Sequence, residues 1–376
     1  MEENKKKNSY LFNTILSVLL GLAVGGILLA LIGVNPFSAF KVIILGAVGK
    51  PKYISWTLVQ ATPLILTGLS VAFAFNTGLF NIGAEGQYIV GSLVAVIVGA
   101  LVSLPPVIHP IFALACGALA GAIWGGLVGL FKAKFGINEV VSSIMFNWIA
   151  LYLSNLSLAY PFLRKPESDN SYDILESANI RILGQWKLSD SGRAFLKSHD
   201  FLKGFMTPPL NWGIFLAILF AILSWYILKK TTLGYELKAV GFNKYAAEYG
   251  GINIKKSIVT SMSISGALSG LAGAIMVLGV SGNIGLLAGQ EGYGFNGIAV
   301  SLIAANSPLA CIPAGLLFAG LTYGGGKLNS QLNTPSEIVN IIIGIIVFFI
   351  AMPKLFNLIR GRLKKKEGVK EVKENE

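Results

Sequence analysis

The sequence predicts an all-α, polytopic membrane protein of about ten transmembrane helices, with glycine-broken helices lining a central pathway. Three observations predict it. Hydrophobic residues make up 54% of the 376 residues, and the mean hydropathy is +0.68. Charged residues are only 13%, against roughly 25% in ordinary soluble domains. The apolar residues fall in runs of about 18 to 25, the length that crosses a bilayer as helix, and the basic residues gather at the ends of those runs.

Taken in order, the expected crossings are 10–33, 54–75, 87–104, 107–131, 140–160, 211–228, 258–280, 291–306, 309–326 and 337–356. The first run is too long for a signal-peptide core and shows no small-x-small cleavage site, so it reads as a retained helix. Pro36 to Lys52 is too short and too charged at its end to cross, which suits an interfacial helix on the outer face. Lysines 5–7, Lys132 and Lys134, the cluster Lys229–Lys256, and Arg360–Lys373 all fall on one side when ten crossings are counted. By the positive-inside rule that side is cytoplasmic, and both termini belong to it. Residues 161–209 then form an outer loop, either a small extracellular cap or partly disordered chain, and 229–257 a cytoplasmic one. Residues 1–360 read as one transmembrane domain, and the Lys/Glu-rich 361–376 as a disordered cytoplasmic tail.

The net charge of +12 does not imply nucleic acid, because the basic residues sit at membrane edges rather than interleaved with aromatics. Cys116 and Cys311 lie inside apolar runs, so neither a disulfide framework nor a thiol metal site is expected. Paired carboxylates, His-Glu-x-x-His and Ser-His-Asp arrangements in a plausible common pocket are missing. Gly292-Tyr-Gly-Phe-Asn-Gly297 fits the dinucleotide string but lacks the strand before it and the later acidic residue. Gly324-Gly-Gly-Lys327 has the wrong spacing for a phosphate loop. No catalytic, cofactor or metal-binding residue is expected, so uphill movement of a solute needs an ion gradient or a partner that hydrolyses ATP.

Gly117, Gly121, Gly125 and Gly129 recur at every fourth position, which keeps them on one helix face as a packing seam. Gly266, Gly270 and Gly273 make a shorter version. The stretch Phe75-Asn-Thr-Gly-Leu-Phe-Asn-Ile-Gly-Ala-Glu-Gly-Gln87 is polar and glycine-broken between two uncharged runs. Backbone broken at membrane depth must be buried in protein or line a wet cavity. Asn76, Asn81, Glu85 and Gln87 are therefore candidate pathway residues, and an intramembrane carboxylate is a functional hypothesis by default. A second broken region, Ser281 to Pro308, carries Glu291 as its single charge. Its Gly-Gln-Glu-Gly-Tyr (289–293) resembles Gly-Ala-Glu-Gly-Gln (83–87), and paired interruptions mark the substrate pathway of a transporter.

In the loop 229–257, Asn243 can cap a helix from Lys244 to Tyr249, ended by Gly250-Gly251. Such an element between two spans suits docking, although a solvated basic loop fits equally well.

Gly234-Tyr-Glu-Leu-Lys-Ala-Val-Gly241, with Asn243, Ala246-Ala247 and Tyr249-Gly-Gly-Ile252, resembles the coupling loop of ABC-importer permeases in the branched-chain amino acid, simple sugar and nucleoside group. Phe75–Gln87 looks like that group's most recognisable block, in the form of nucleoside permeases. Asn138-Glu-Val-Val-Ser-Ser-Ile-Met-Phe-Asn147 and Gly294-Phe-Asn-Gly-Ile-Ala-Val-Ser-Leu-Ile303 with Asn306-Ser-Pro308 fit the same members. Two departures are Lys238, where arginine is commoner, and Phe295-Asn296, where Phe-Asp is commoner. The resemblance implies a non-enzymatic permease for nucleosides, closest to purine nucleoside and guanosine permeases. It further implies a second homologous permease, a separate cytoplasmic ABC ATPase and an extracellular substrate-binding lipoprotein. It assigns Gly234, Glu236, Gly241, Asn243, Ala246, Ala247, Tyr249 and Gly250 to ATPase coupling.

A nucleoside suits the pathway chemically. Its base can stack on Phe80, Trp148 or Phe295, with Trp148 better read as a packing residue. Asn76, Asn81, Gln87, Asn147 and Asn296 offer donors and acceptors to a neutral polar solute. Simple sugars or other small polar solutes fit the same chemistry. A proton-coupled carrier using Glu85 or Glu291, and a non-transporting scaffold, are the rival readings.

Overall fold

The computed structural model describes residues 2–335 and 337–351; the tail expected at 361–376 and the basic cluster at 360–373 lie outside them. Among the described residues the chain is helical, and strand pairing is limited to the isolated bridges Arg164–Ser171, Asn170–Gly285 and Arg181–Asn211. The helices are α1 (Glu2–Leu31), α2 (Pro36–Val48), α3 (Pro51–Phe75), α4 (Ala84–Leu101), α5 (Ile108–Phe135) and α6 (Glu139–Ser157). Three short helices follow, α7 (Gly184–Leu188), α8 (Asp190–Lys197) and α9 (Asp200–Met206). Then come α10 (Gly213–Lys230), α11 (Thr232–Phe242), α12 (Lys244–Tyr249) and α13 (Ile254–Met276), which a π-turn (Val277–Ser281) extends. The chain continues through α14 (Tyr293–Ile303), α15 (Cys311–Gly325), α16 (Leu328–Leu332) and α17 (Glu337–Ala351).

Six helices among the described residues are long and apolar enough to cross a membrane: α3, α4, α5, α6, α10 and α13 with its π-turn. The expected count of about ten is therefore not reached. The apolar residues 16–31 of α1, together with α2, α14 and α17, form shorter helices. The shortfall has a local cause in the eighth expected crossing. Gly292 enters α14 at φ +86°, and Ala305 and Asn306 leave it at +54° and +56°. Left-handed residues cannot continue a right-handed helix, although the hydropathy runs straight through them. The eleven residues of α14 rise only about 16 Å, against a hydrocarbon thickness of about 30 Å.

The chain forms two compact units, one from residues 44–323 and one from the described parts of 1–43 and 324–376. In the smaller unit α1 packs on α17, with Gly21 against Ile346 and Gly25 against Ile342. In the larger unit α3 is the most enclosed helix, 83% buried, with α4 and α13 close behind. Helices α5 and α10 are each only 28% buried, so they flank the inner three. Their outward residues, such as Leu119, Ile123, Leu219 and Ile222, are exposed apolar side chains suited to lipid.

The glycine seam explains how the inner helices approach. The buried positions of α5 are mostly small, among them Gly117, Gly121, Gly125 and Gly129. A Cβ on Gly121 would collide with backbone at Gly266 and Gly270, and one on Gly91 of α4 with Gly270. The two glycine sets that the sequence singles out thus face each other across α5 and α13. Without a hydrophobic driving force in lipid, such backbone contact is what holds helices together.

Residues 161–209 are folded. His109 at the start of α5 is fully buried and bonds Ser177 Oγ and Val98 O. Arg181 donates to Gly279 O and Val280 O of the π-turn, which fastens this cap to the end of α13.

Candidate functional site

The two glycine-broken segments meet at one carboxylate. Glu85 stands in the first turn of α4, and its side chain is fully buried. Oε1 accepts from Gly292 N at 2.7 Å and Oε2 from Gly294 N at 2.6 Å. The start of α14 therefore rests on Glu85, and its N–H groups are satisfied by an anion, as helix N-termini favour. Gly294 must be glycine, because a Cβ there would strike the backbone at Ala84–Glu85. Thr67 Oγ1 of α3 closes the junction, lying 3.0 Å from Tyr293 O.

The neighbouring amides form a second layer. Asn81 and Gln87 exchange reciprocal amide bonds at 2.8 and 3.0 Å, and Asn81 Nδ2 also reaches Ser265 Oγ at 2.7 Å. Ser265 donates to Ser70 O. Asn147 of α6 accepts from Gly86 N and donates to Ile82 O. Asn76 donates to Ala72 O and Asn306 O, linking the end of α3 to the turn after α14. Phe80 packs on Phe75, 5.0 Å between ring centroids. Of the expected pathway residues, Asn76, Asn81, Glu85, Gln87 and Asn147 are brought together by bonds to protein, whereas Phe295 is exposed on α14 and Asn296 half-buried beside it.

Adjacent to this junction lies a cavity of about 220 Å³, lined by α4, α6, the end of α13 and the segment 281–293. Tyr88, Ser92, Asn283, Glu291 and Tyr293 supply its polar wall. The Tyr88 and Tyr293 rings lie 5.1 Å apart, tilted by 32°, and Glu291 lines the cavity with them. Apart from Glu291, sequence reasoning did not select these residues. A signal existed, since Tyr88 directly follows Gly-Ala-Glu-Gly-Gln and Tyr293 ends Gly-Gln-Glu-Gly-Tyr.

The loop 229–257 carries more helix than expected. Gly234 lets α11 turn tightly under α10, since a Cβ would strike Ile227 and Leu228 backbone. Asn243 caps α12 as the sequence expects, accepting from Tyr245 N and Ala246 N, and Gly250 follows its last turn. Phe242, Tyr245 and Tyr249 are 89%, 85% and 98% exposed, while Ala247 is buried. A cleft of about 480 Å³ between α11 and α12 is lined by Glu236, Asn243, Ala246, Ala247 and Gly250 among others. Burial and the neighbouring Lys229 hold the Lys238 ammonium below the usual lysine value. Gly241 lies directly on Thr77–Gly78, close enough that a Cβ on either glycine would clash with the other segment's backbone.

These features define a multi-pass membrane protein in which a solvent-facing aromatic loop rests on the polar break between α3 and α4. Residues 53–351 match the family described as branched-chain amino acid transport system / permease component, and the chain belongs to it. It is 38% identical to the guanosine ABC transporter permease protein NupP of Bacillus subtilis (96% of this chain, 99% of that one). It is 32% identical to the nucleoside ABC transporter permease protein NupB of Lactococcus lactis (93% of each chain). It is 31% identical to the glucose ABC transporter permease protein TsgB13 of Haloferax volcanii (92% of this chain, 88% of that one).

Proposed function

We propose that this chain is the membrane permease of an ATP-driven nucleoside importer. It works with a second homologous permease, a separate cytoplasmic ABC ATPase that carries the hydrolysis, and an extracellular substrate-binding lipoprotein. The observation that carries the reading is the backbone contact of Gly241 with Thr77–Gly78. Motion of α11–α12 on the ATPase has a direct path to the polar break, and from Thr77 through its hydroxyl contact with Ser261 to α13. The guanosine and nucleoside permeases to which the chain is similar support the solute class. The glucose permease relative supports a simple sugar as the second reading.

In this proposal α1 and α17 cross with the six long helices, while α14 and α15 make a pair of half-spans. Counted as two crossings or as none, that pair leaves the parity unchanged, so both termini and the loop 229–257 stay cytoplasmic and 161–209 extracellular. Asn76, Asn81, Glu85, Gln87 and Asn147 shape the pathway wall; Phe80, Phe295 and Asn296 are assigned to its edge. Phe242, Tyr245 and Tyr249 form the face toward the ATPase, and Ala247 packs beneath them.

Reconstitution in liposomes with the ATPase, second permease and binding protein tests the reading. Labelled nucleoside should accumulate only with ATP and binding protein. Uptake that persists without ATP and collapses with an uncoupler would instead establish a proton-coupled carrier, and competition by glucose alone would establish the sugar reading.

A further inference from the structure

We propose that the cavity between α4, α6, the π-turn and the segment 281–293 is a base-binding subsite, selective for a nucleobase that presents two adjacent N–H donors, as guanine does. This rests on the nucleoside reading above and names the part of the solute that the site recognises.

Four observations converge there. The first is size: about 220 Å³ exceeds the roughly 150 Å³ that encloses a benzene ring in an engineered cavity. One base therefore fits inside, with its ribose toward the mouth. The second is the aromatic pair, since the rings of Tyr88 and Tyr293, tilted 32° to each other, give the cavity an aromatic wall against which a base can pack. The third is an unpartnered group. Ser92 is 8% exposed, and its Oγ has no hydrogen-bond partner among the described residues, although it lines the cavity. A buried hydroxyl without a partner is costly unless something else supplies one. The fourth is charge, because Glu291 stays exposed at the cavity wall. A carboxylate is acceptor-only with about four lone-pair sites, so it retains room for a paired donor edge.

Those properties select among bases. The Watson–Crick edge of guanine places a ring N–H beside an exocyclic NH₂, which matches two carboxylate oxygens. Hypoxanthine offers the ring N–H alone. Adenine and cytosine set a ring acceptor beside their NH₂, and that acceptor would face carboxylate oxygen. The π-turn fits this role, since such turns recur at functional sites. Asn283, also on the cavity wall, is held by Asp173 of the cap at 2.6 Å.

The test is saturation-transfer NMR on the assembled transporter in nanodiscs without its binding protein, using guanosine, inosine and adenosine. The wild type should bind guanosine about tenfold more tightly than adenosine, with inosine between, as one well-made bidentate edge allows. Glu291→Gln should lower guanosine affinity about tenfold and leave adenosine within about twofold. Leu287→Trp, on the irregular segment lining the cavity, should plug it and abolish binding of all three. A flat profile in the wild type, or Glu291→Gln binding guanosine as tightly as the wild type, overturns the proposal. Should Glu291→Gln fail to assemble, undiminished guanosine binding by Leu287→Trp overturns it instead. A transporter that accumulates nucleosides yet shows the flat profile retains the nucleoside reading and loses only this one. A transporter that accumulates no nucleoside loses both.

Discussion

Glu85 shows how one side chain can decide the course of a backbone. Its carboxylate accepts two backbone N–H groups at the start of α14, and hydrogen bonds to a charged group contribute about 1.5–3 kcal/mol each. Glu85→Gln keeps the shape but turns an NH₂ toward one of those donors. Thermal unfolding of the purified complex should show Glu85→Gln losing about 1.5–3 kcal/mol, the strength of one such bond; an unchanged midpoint would mean that the junction does not depend on it. The outer rim has a residue of the opposite exposure. The bond from Asn283, with Lys165 nearby, holds Asp173 below the ordinary carboxylate value of 3.8. Because the folded value is the lower one, its contribution is complete above the unfolded value and is lost as pH falls through the folded value. The tie between cap and cavity rim should loosen in that acid window, with only a small effect because Asp173 is largely solvent-exposed. Hydrogen exchange at residues 281–287 should rise in wild type but not further in Asp173→Asn; equal acid sensitivity in both would rule this tie out.

At the scale of elements, α5 and α13 are held by contact between backbones rather than by large side chains. Gly121→Leu should therefore prevent assembly, since neither Gly266 nor Gly270 can give way. Leu119→Ala on the outward face of the same helix should be tolerated. Comparing yields of monodisperse complex tests this, and equal yields would show that the seam is slack. The α11–α12 element makes a different prediction. Tyr249→Ala and Phe242→Ala remove exposed rings without touching the packed Ala247, so the midpoint of unfolding should stay within about 0.5 kcal/mol of wild type. Binding-protein-stimulated ATP hydrolysis should fall severalfold; full stimulation in the double variant would place the docking surface elsewhere. Helix α12 was legible in advance because Asn243 and Gly250-Gly251 are strong local stop and start signals. Helix α14 is shorter than the expected crossing because Gly292, Ala305 and Asn306 take left-handed backbone, which the hydropathy that set the expected bounds does not register.

For the whole molecule, the cap and the core act as one connected body within residues 44–323. Arg181 bonds two π-turn carbonyls, and the segment beyond them lines the cavity. Arg181→Ala should leave α3, α4 and α13 intact but release the segment 281–287. Limited proteolysis should then cut there several times faster than in wild type, and an unaltered pattern would mean that the cap sits passively on the core. The membrane character and the two broken regions were readable because they rest on composition and on glycine, both local properties. The partners of the polar residues were not. Asn81, Gln87 and Asn147 offer amides that could equally face a solute or a neighbour, and only the packing directs them to one another and to backbone.

By itself the sequence determined an all-helical membrane protein, its glycine seam, the capped helix α12 and the two polar interruptions. Periodicity, helix caps and hydropathy depend on residues within a turn or two of each other. Only the tertiary structure decided that the interruptions meet at Glu85, that most of the expected pathway amides are bonded to protein, and that Tyr88, Ser92, Glu291 and Tyr293 share a cavity. Glu85 and Gly292 stand 207 positions apart. What a buried polar group does depends on which distant backbone the fold carries to it, and no local pattern records that.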